Sequence, residues 1–160
     1  MKKILHIDMD GVIADFEKGF YKICPDIILG EGPDYEARSL RVDQVLSENT
    51  RLFLDLEPIE GAIESIKELD PLYDIHFLST PVCHVPDSFA DKKRWLDNHF
   101  GRLAHKKLIL THRKDLVIGH FLVDDRIKNG VDKFSGLHIH FGTEKFPNWE
   151  ITRDYLKKVA

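Results

Sequence analysis

Short apolar runs alternate with amphipathic segments along the 160-residue chain. Five runs are rich in Ile, Leu, Val or Phe and are bounded by polar residues, which is typical of buried β-strands. They cover residues 4–7, 74–79, 107–110, 120–123 and 137–141. Apolar residues recur at helical spacing in three further segments, at 57–70, 87–101 and 146–159. This alternation predicts an α/β fold in which a Rossmann-like parallel sheet lies between two helical layers.

One long segment, residues 17–56, interrupts the alternation. It contains helix-like pieces but no convincing strand pattern. The segment follows the first predicted strand directly, and it is too short to bury a hydrophobic core of its own. We therefore predict a small helical cap at 17–56, inserted into an α/β core that comprises residues 1–16 and 57–160.

Composition and charge exclude several function classes. The formal net charge of -4 offers no basic surface for nucleic-acid binding. No run approaches the roughly 18 apolar residues of a membrane helix, and Asp8 breaks the apolar start too early for a signal peptide. Cys24 and Cys83 lie in unrelated contexts, which favours reduced thiols over a disulfide framework. We predict a cytoplasmic protein that binds neither nucleic acid nor membrane.

Polar residues follow four of the predicted strands at their carboxyl ends. They are Asp8, Asp10, Ser79, Thr80, Lys114, Asp124 and Asp125. Because ligands of an open parallel sheet bind at that edge, these side chains are expected to share one site. Carboxylates this close would repel one another unless a cation lay between them. Oxygen ligands without a Cys/His cluster favour a hard ion, above all Mg²⁺.

Magnesium together with an ammonium group and hydroxyls suits a phosphate substrate. An aspartate beside the metal can attack phosphorus and form an aspartyl-phosphate. A second acid two residues further on can protonate the leaving oxygen and later activate water. Taken singly, each residue has a structural alternative: Ser79 and Thr80 could cap turns, and Lys114 could be a solvated lysine. Only the order of the motifs along the chain favours the catalytic interpretation.

Those motifs resemble the four signatures of the haloacid dehalogenase (HAD) superfamily: DMDGV at 8–12, Ser79 after a strand, Lys114 in THRKD, and VDDR at 123–126. Longer stretches, among them DMDGVIADFEKGF, LFLDLEPIEGA and LTHRKDLVIGHFLVDDR, resemble the 5'(3')-deoxyribonucleotidase family. The resemblance implies a Mg²⁺-dependent phosphatase that acts on deoxyribonucleoside monophosphates. It also implies a homodimer as one possible assembly.

The resemblance further implies the roles of the acidic residues. Asp8 corresponds to the nucleophile and a metal ligand, and Asp10 to the general acid–base with its backbone carbonyl on the metal. Asp125 corresponds to a metal ligand that Asp124 supports.

The family's phosphate-binding positions correspond to Ser79, Thr80 and Lys114. The order Ser79-Thr80-Pro81 replaces the Thr-Ser-Pro of the family, so a hydroxyl is kept at each place. Phe16 matches an aromatic residue that lines the family's substrate pocket, and it suits a core position equally well. The cap sequence diverges, and its candidate base-stacking residues are Tyr35, Phe53 and Phe20.

The sequence leaves other interpretations open. The core motifs equally fit a HAD phosphatase for another small phosphoester, such as a phosphosugar or phosphoglycolate, or a non-catalytic HAD-like binding protein. The nine histidines are scattered without zinc-site spacing, so we expect structural or exposed roles for them. Trp95 and Trp149 fall on predicted amphipathic helices, where packing is the expected role.

Overall fold

The computed structural model describes residues 1–29, 35–49 and 51–160, although not the side chain of Tyr35. Five strands are present in the described part: β1 Lys3–Ile7, β2 Tyr73–Ser79, β3 Leu108–Leu110, β4 Phe121–Asp124 and β5 Leu137–His140. The α-helices are α1 Phe16–Ile23, α2 Tyr35–Glu48, α3 Ala62–Leu69, α4 Asp87–Phe100 and α5 Trp149–Val159. None of these helices is long and apolar enough to cross a membrane.

The strands form one sheet in the order β3-β2-β1-β4-β5. Every pairing is parallel, and Ile7 at the end of β1 lies beside Phe77 on one side and Val123 on the other. The carboxyl ends of all five strands therefore meet at one edge, with β1 in the centre. The predicted α/β fold with a parallel sheet is confirmed.

Two tryptophans attach α4 and α5 to neighbouring loops. Trp95 of α4 is fully buried, and its Nε1–H donates to the carbonyl of Leu56 at 2.8 Å. Trp149 of α5 is also fully buried and donates to the carbonyl of Val12 at 2.7 Å. Both side chains satisfy their one polar atom while packing in the core, so the packing role expected for them is confirmed.

Helix α3 begins later than the periodicity predicts. Residues 57–61 do not start the helix but run alongside the loop after β1: Ala14 forms an antiparallel bridge with Pro58, and the N–H of Ile59 donates to Ile13. Gly61 then turns the chain with φ +74°, a conformation that glycine adopts without steric cost, and α3 follows. Tertiary pairing has here taken the place of the first helical turn.

Helices α1 and α2 lie between β1 and α3 in the chain. Their buried residues Phe20 and Leu46 belong to the same hydrophobic cluster as Leu5 and Ile7 of β1. This shared cluster agrees with the argument that the insertion is too small to bury a core alone. The exact boundaries of the cap, 17–56, stay a prediction.

Candidate active site

Three carboxylates converge at the centre of the carboxyl edge of the sheet. Asp8 follows β1 directly, and its backbone N–H donates to Val123 of the neighbouring strand at 2.9 Å. Asp124 ends β4 and Asp125 follows it. One carboxylate oxygen from each of the three aspartates lies within 4.8 Å of the others. The hydrogen-bonding of parallel neighbouring strands is what brings residues so distant in sequence together.

Lys114 contributes a cation to this cluster. Its Nζ lies 2.5 Å from Asp124 Oδ2 and 3.1 Å from Asp8 Oδ1, and the side chain is buried. Burial pulls the pKa of the Lys114 ammonium down, but the carboxylates of Asp8 and Asp124 outweigh it and leave that pKa raised. Lys114 is therefore charged at neutral pH and faces the carboxylates, as the sequence order of the motifs suggested.

Lys114 and the exposed guanidinium of Arg126, whose Nε lies 3.7 Å from Asp125 Oδ2, do not balance these three carboxylates, of which Asp8 and Asp124 are buried and Asp125 is half-buried. Burial, with repulsion from Asp8, raises the pKa of Asp125 to about 6, and the same two causes raise the pKa of Asp124. Asp125 Oδ1 is buried and accepts no hydrogen bond within the described part of the chain. Buried, unpaired carboxylate oxygens of this kind are suited to a hard divalent cation.

Gly11, in the loop after β1, lets this loop lie directly against the carboxylate of Asp125. Gly11 has φ +78°, and a Cβ placed on it would lie 2.4 Å from Asp125 Oδ2. Any other residue would push against the carboxylate and would also adopt an unfavourable backbone conformation. The glycine of the DMDGV motif thus lets the loop and the Asp125 side chain pack in direct contact.

Asp10 pairs with a different cation. Its Oδ2 accepts a hydrogen bond from Lys92 Nζ of α4 at 2.5 Å, and Lys92 is 1% exposed. The ammonium of Lys92 also lies 4.9 Å from the centre of the Phe53 ring, within the range of a cation–π contact. Asp10 and Lys92 therefore form a pair beside the Asp8 cluster.

Sequence reasoning missed Lys92, because a lysine on an amphipathic helix is ordinarily solvated. A signal was nevertheless present. Lys92 lies four residues after Ser88 and three before Trp95, on the buried stripe of α4. A lysine within such a stripe needs a buried partner.

Two histidines of β5 hold the backbone of the acidic loop. The Nε2–H of His138 donates to the carbonyl of Asp124, and that of His140 donates to the carbonyl of Asp125, both at 3.0 Å. Their rings stack with centroids 5.0 Å apart. Their expected structural role is confirmed, and its location beside the carboxylates could not be read from the sequence.

Ser79 and Thr80 lie at the end of β2, on the same edge. Ser79 is fully buried, and its Oγ has no hydrogen-bond partner among the residues that the structure describes. The hydroxyl of Thr80 donates to the carbonyl of Thr111 at 2.9 Å. Of the two hydroxyls, that of Ser79 is the one left to bind a ligand.

A cavity of about 510 Å³ has the carboxylates, Lys114, Ser79 and Thr80 at one end. Phe16 and Phe53 line it, and their rings stack at 5.9 Å. Phe20 stacks on Phe16 from behind, at 5.8 Å, but is fully buried and is not part of the lining. Among the candidate base-stacking residues, Phe53 therefore faces the cavity and Phe20 belongs to the core, while the side chain of Tyr35 lies outside the described residues.

Comparison with known proteins gives relatives along almost the whole chain. The family model described as "5' nucleotidase, deoxy (Pyrimidine), cytosolic type C protein" matches residues 2–154. The cytosolic-type 5'(3')-deoxyribonucleotidase of Homo sapiens is 34% identical over 162 residues, which cover 90% of this chain and 75% of that protein. A protein of Vibrio phage KVP40, provisionally named 5'(3')-deoxyribonucleotidase, is 39% identical over 155 residues, covering 97% and 85% respectively.

Solved structures show the same fold at low sequence identity. A Bacillus subtilis protein provisionally named a HAD hydrolase, crystallised with magnesium, matches with a TM-score of 0.67 at 12% identity, over 98% of this chain and 99% of that chain. A HAD-like hydrolase of Xanthomonas campestris gives a TM-score of 0.62 at 10% identity, covering 99% and 91%.

The parallel sheet with aspartates at the ends of β1 and β4 has the fold of HAD-like hydrolases. The chain belongs to the 5'(3')-deoxyribonucleotidase family, and it is a phosphoric monoester hydrolase.

Proposed function

We propose that the protein is a Mg²⁺-dependent phosphatase that hydrolyses 5'(3')-deoxyribonucleoside monophosphates through an aspartyl-phosphate on Asp8. The convergence of Asp8, Asp125 and Lys114 at one end of a cavity with aromatic walls carries this proposal. Phosphate chemistry needs the charged end, and a nucleoside suits the aromatic walls. The names of the relatives supply the nucleotide as substrate class.

The donor set fits magnesium. Asp8 and Asp125, with the backbone carbonyl of Asp10, are the proposed ligands. The carboxylate of Asp124 is already engaged, because Oδ2 pairs with Lys114 and Oδ1 accepts the N–H of Arg126 at 3.0 Å. Asp124 therefore supports the site by orienting Lys114, and Asp125 is the direct ligand. When bound, Mg²⁺ would neutralise phosphate charge and favour attack on phosphorus.

The phosphate would lie between Lys114 and Ser79. The buried ammonium supplies charge, and the hydroxyl of Ser79, which is already buried and unpaired, supplies a hydrogen bond. Thr80 lines the same cavity, but its hydroxyl proton is directed to Thr111, so its contribution to phosphate binding is the smaller one.

The reaction divides between two aspartates. A carboxylate oxygen of Asp8 attacks phosphorus as the ester P–O bond breaks, and Asp10 gives its proton to the leaving nucleoside oxygen. Asp10 then takes a proton from a water molecule that attacks the aspartyl-phosphate. Inorganic phosphate leaves and Asp8 is restored. Lys92 acts through Asp10, which it holds in place, and is thus a positioning residue.

A cytoplasmic location belongs to the same proposal. It rests on the human relative, whose name gives a cytosolic type, and on the free thiols of Cys24 and Cys83. A homodimer remains an expectation from the family.

Purified protein tests the activity directly. We expect release of phosphate from dUMP and dTMP with Mg²⁺, slower release from ribonucleotides and phosphosugars, and none with EDTA. Asp8→Asn should lower kcat by about a thousandfold or more, since it removes the nucleophile. The matched control is Asp97→Asn, an exposed aspartate of α4 that pairs only with Lys93 among the described residues and should behave as wild type.

Two results would overturn the proposal in different ways. Equal rates on nucleotides and phosphosugars would favour the HAD phosphatase for another small phosphoester. The absence of metal-dependent turnover on any substrate, p-nitrophenyl phosphate included, would favour a non-catalytic binding protein.

A further inference from the structure

The two histidines of β5 donate to two backbone carbonyls that are held differently. The carbonyl of Asp124, which accepts from His138, also accepts the N–H of Phe141 at 3.0 Å, next to the paired ends of β4 and β5. For the carbonyl of Asp125, the imidazole of His140 is the one donor that the described part of the chain provides. The path of the backbone at Asp125 therefore depends on a single side chain.

The carboxylates of the two aspartates show the same difference. Both oxygens of Asp124 are engaged, one by Lys114 and the other by the N–H of Arg126. Asp125 Oδ1 has no partner in the described ranges, and the exposed guanidinium of Arg126 lies 3.7 Å from Oδ2. The direction of the Asp125 carboxylate is therefore set mainly by its backbone and by its close contact with Gly11.

His140 is itself fixed at the edge of the sheet. It lies in register beside Asp124 in the pairing of β4 with β5, and its own carbonyl accepts the hydroxyl of Thr143 at 2.7 Å. A carbonyl only accepts hydrogen bonds, so the 3.0 Å contact with Asp125 places a proton on Nε2 of His140. The half-buried ring also lines the cavity.

We propose that His140 is a positioning residue that sets the Mg²⁺ affinity of the site by fixing the backbone that carries Asp125. The inference rests on the proposed function, in which Asp125 is a direct metal ligand. Partners that orient metal ligands typically contribute about ten- to a hundredfold to metal affinity. His138 makes the same kind of contact to Asp124, which is not a proposed ligand, and so provides a matched comparison.

The test uses variants that remove or restore the N–H. His140→Leu removes it, and His140→Asn keeps an amide that is one methylene too short, which serves if the leucine variant does not fold. His140→Gln restores an N–H at nearly the length of histidine. His138→Leu removes the equivalent donor next to it and the same ring stacking.

The main measurement is the Kd for Mg²⁺ without substrate, obtained by calorimetric titration of protein freed of metal with EDTA. The Mg²⁺ concentration that gives half-maximal hydrolysis of dUMP is measured beside it. Melting in EDTA reports on the folding of each variant when no metal is bound.

For His140→Leu and His140→Asn we expect the Kd for Mg²⁺ to rise about ten- to a hundredfold. The half-maximal Mg²⁺ concentration should rise in step, and saturating Mg²⁺ should restore much of the lost rate. His140→Gln should recover most of the affinity. In His138→Leu the Kd should stay within about threefold of wild type, because this variant leaves the contact to Asp125 in place.

A folded His140→Leu or His140→Asn protein that binds Mg²⁺ with the wild-type Kd would overturn the inference, even if it melts earlier in EDTA. Equal increases in Kd for His140→Leu and His138→Leu, or a His140→Gln protein that binds no better than His140→Asn, would overturn it as well. Failure of the proposed function is distinguishable, because wild-type protein itself would then show no Mg²⁺-dependent turnover of any nucleotide.

Discussion

Lys92 shows how a single side chain can link the catalytic acid to the substrate cavity. Its ammonium is 1% exposed, and an unpaired charge at such a depth would cost several kcal/mol. The carboxylate of Asp10 and the ring face of Phe53 are its partners. Because Asp10 is the proposed general acid–base, the orientation of its carboxyl group depends on a helix that contributes no other group to the chemistry.

We expect Lys92→Met to lower kcat about ten- to a hundredfold with little change in KM, because Asp10 is retained but no longer held in place. This is less than the 10²–10⁴ that a general acid–base group contributes in full. The control is Lys93→Met, since Lys93 is partly exposed, lies on the same helix and pairs with Asp97. A Lys92→Met protein that melts earlier yet keeps wild-type kcat would show that Lys92 serves only the fold.

Three of the residues that sequence reasoning found share one property. Asp8, Asp124 and Ser79 each stand at the end of an apolar strand, and the parallel sheet alone brings them to one edge. Lys92 lies on a helix, and which helical side chain reaches the site depends on how the helix is rotated and docked, which no local sequence pattern specifies. The site residues at the strand ends could therefore be predicted from the sequence, whereas the site residue on α4 could not.

At the level of elements, α5 connects the end of the chain to the active-site loop. The side chain of Asn148 accepts the N–H of Ile151 at 3.1 Å, so Asn148 is the N-cap of α5. The next residue, Trp149, donates to the carbonyl of Val12, four residues after Asp8. The first turn of α5 therefore positions the Trp149 side chain for its hydrogen bond to the loop after β1.

Asn148→Ala should remove the cap and destabilise the protein by about 1 kcal/mol. For a chain of this length that corresponds to a decrease in Tm of about 2–4 °C. Asn148→Asp retains a side-chain acceptor and should melt within a degree of wild type. Calorimetry checks both values, and an Asn148→Ala protein as stable as Asn148→Asp would show that the cap contributes nothing.

The start of α3 marks the limit of element-level prediction. Apolar periodicity and Pro58 both suit a helix from residue 57, and the segment instead pairs with the loop after β1. Glu57 at its start also binds Lys18 and Lys22 of α1, at 2.6 and 2.5 Å. These partners are distant in sequence, so local propensity carries no information about them.

On the scale of the whole molecule, the site is assembled from segments that only the folded sheet brings together. Asp8 follows β1 and Asp125 follows β4, separated by more than a hundred residues of chain. The unfolded chain cannot present these oxygens to one ion, so a metal that binds them binds the native state alone. Metal binding and global stability must then be coupled by mass action.

Mg²⁺ should therefore raise the Tm of the protein. A concentration of about 100 times Kd contributes about 2.7 kcal/mol, which for this length corresponds to about 5–10 °C. In Asp125→Asn the increase should vanish, whereas without metal this variant should melt no earlier than wild type, because one of three mutually repelling carboxylates is gone. Asp97→Asn serves as the control and should keep the full response.

Melting curves with Mg²⁺ and with EDTA test this prediction. Asp125 would be removed from the metal site if Mg²⁺ left the Tm of wild type unchanged, or if Mg²⁺ raised the Tm of Asp125→Asn as much as that of wild type.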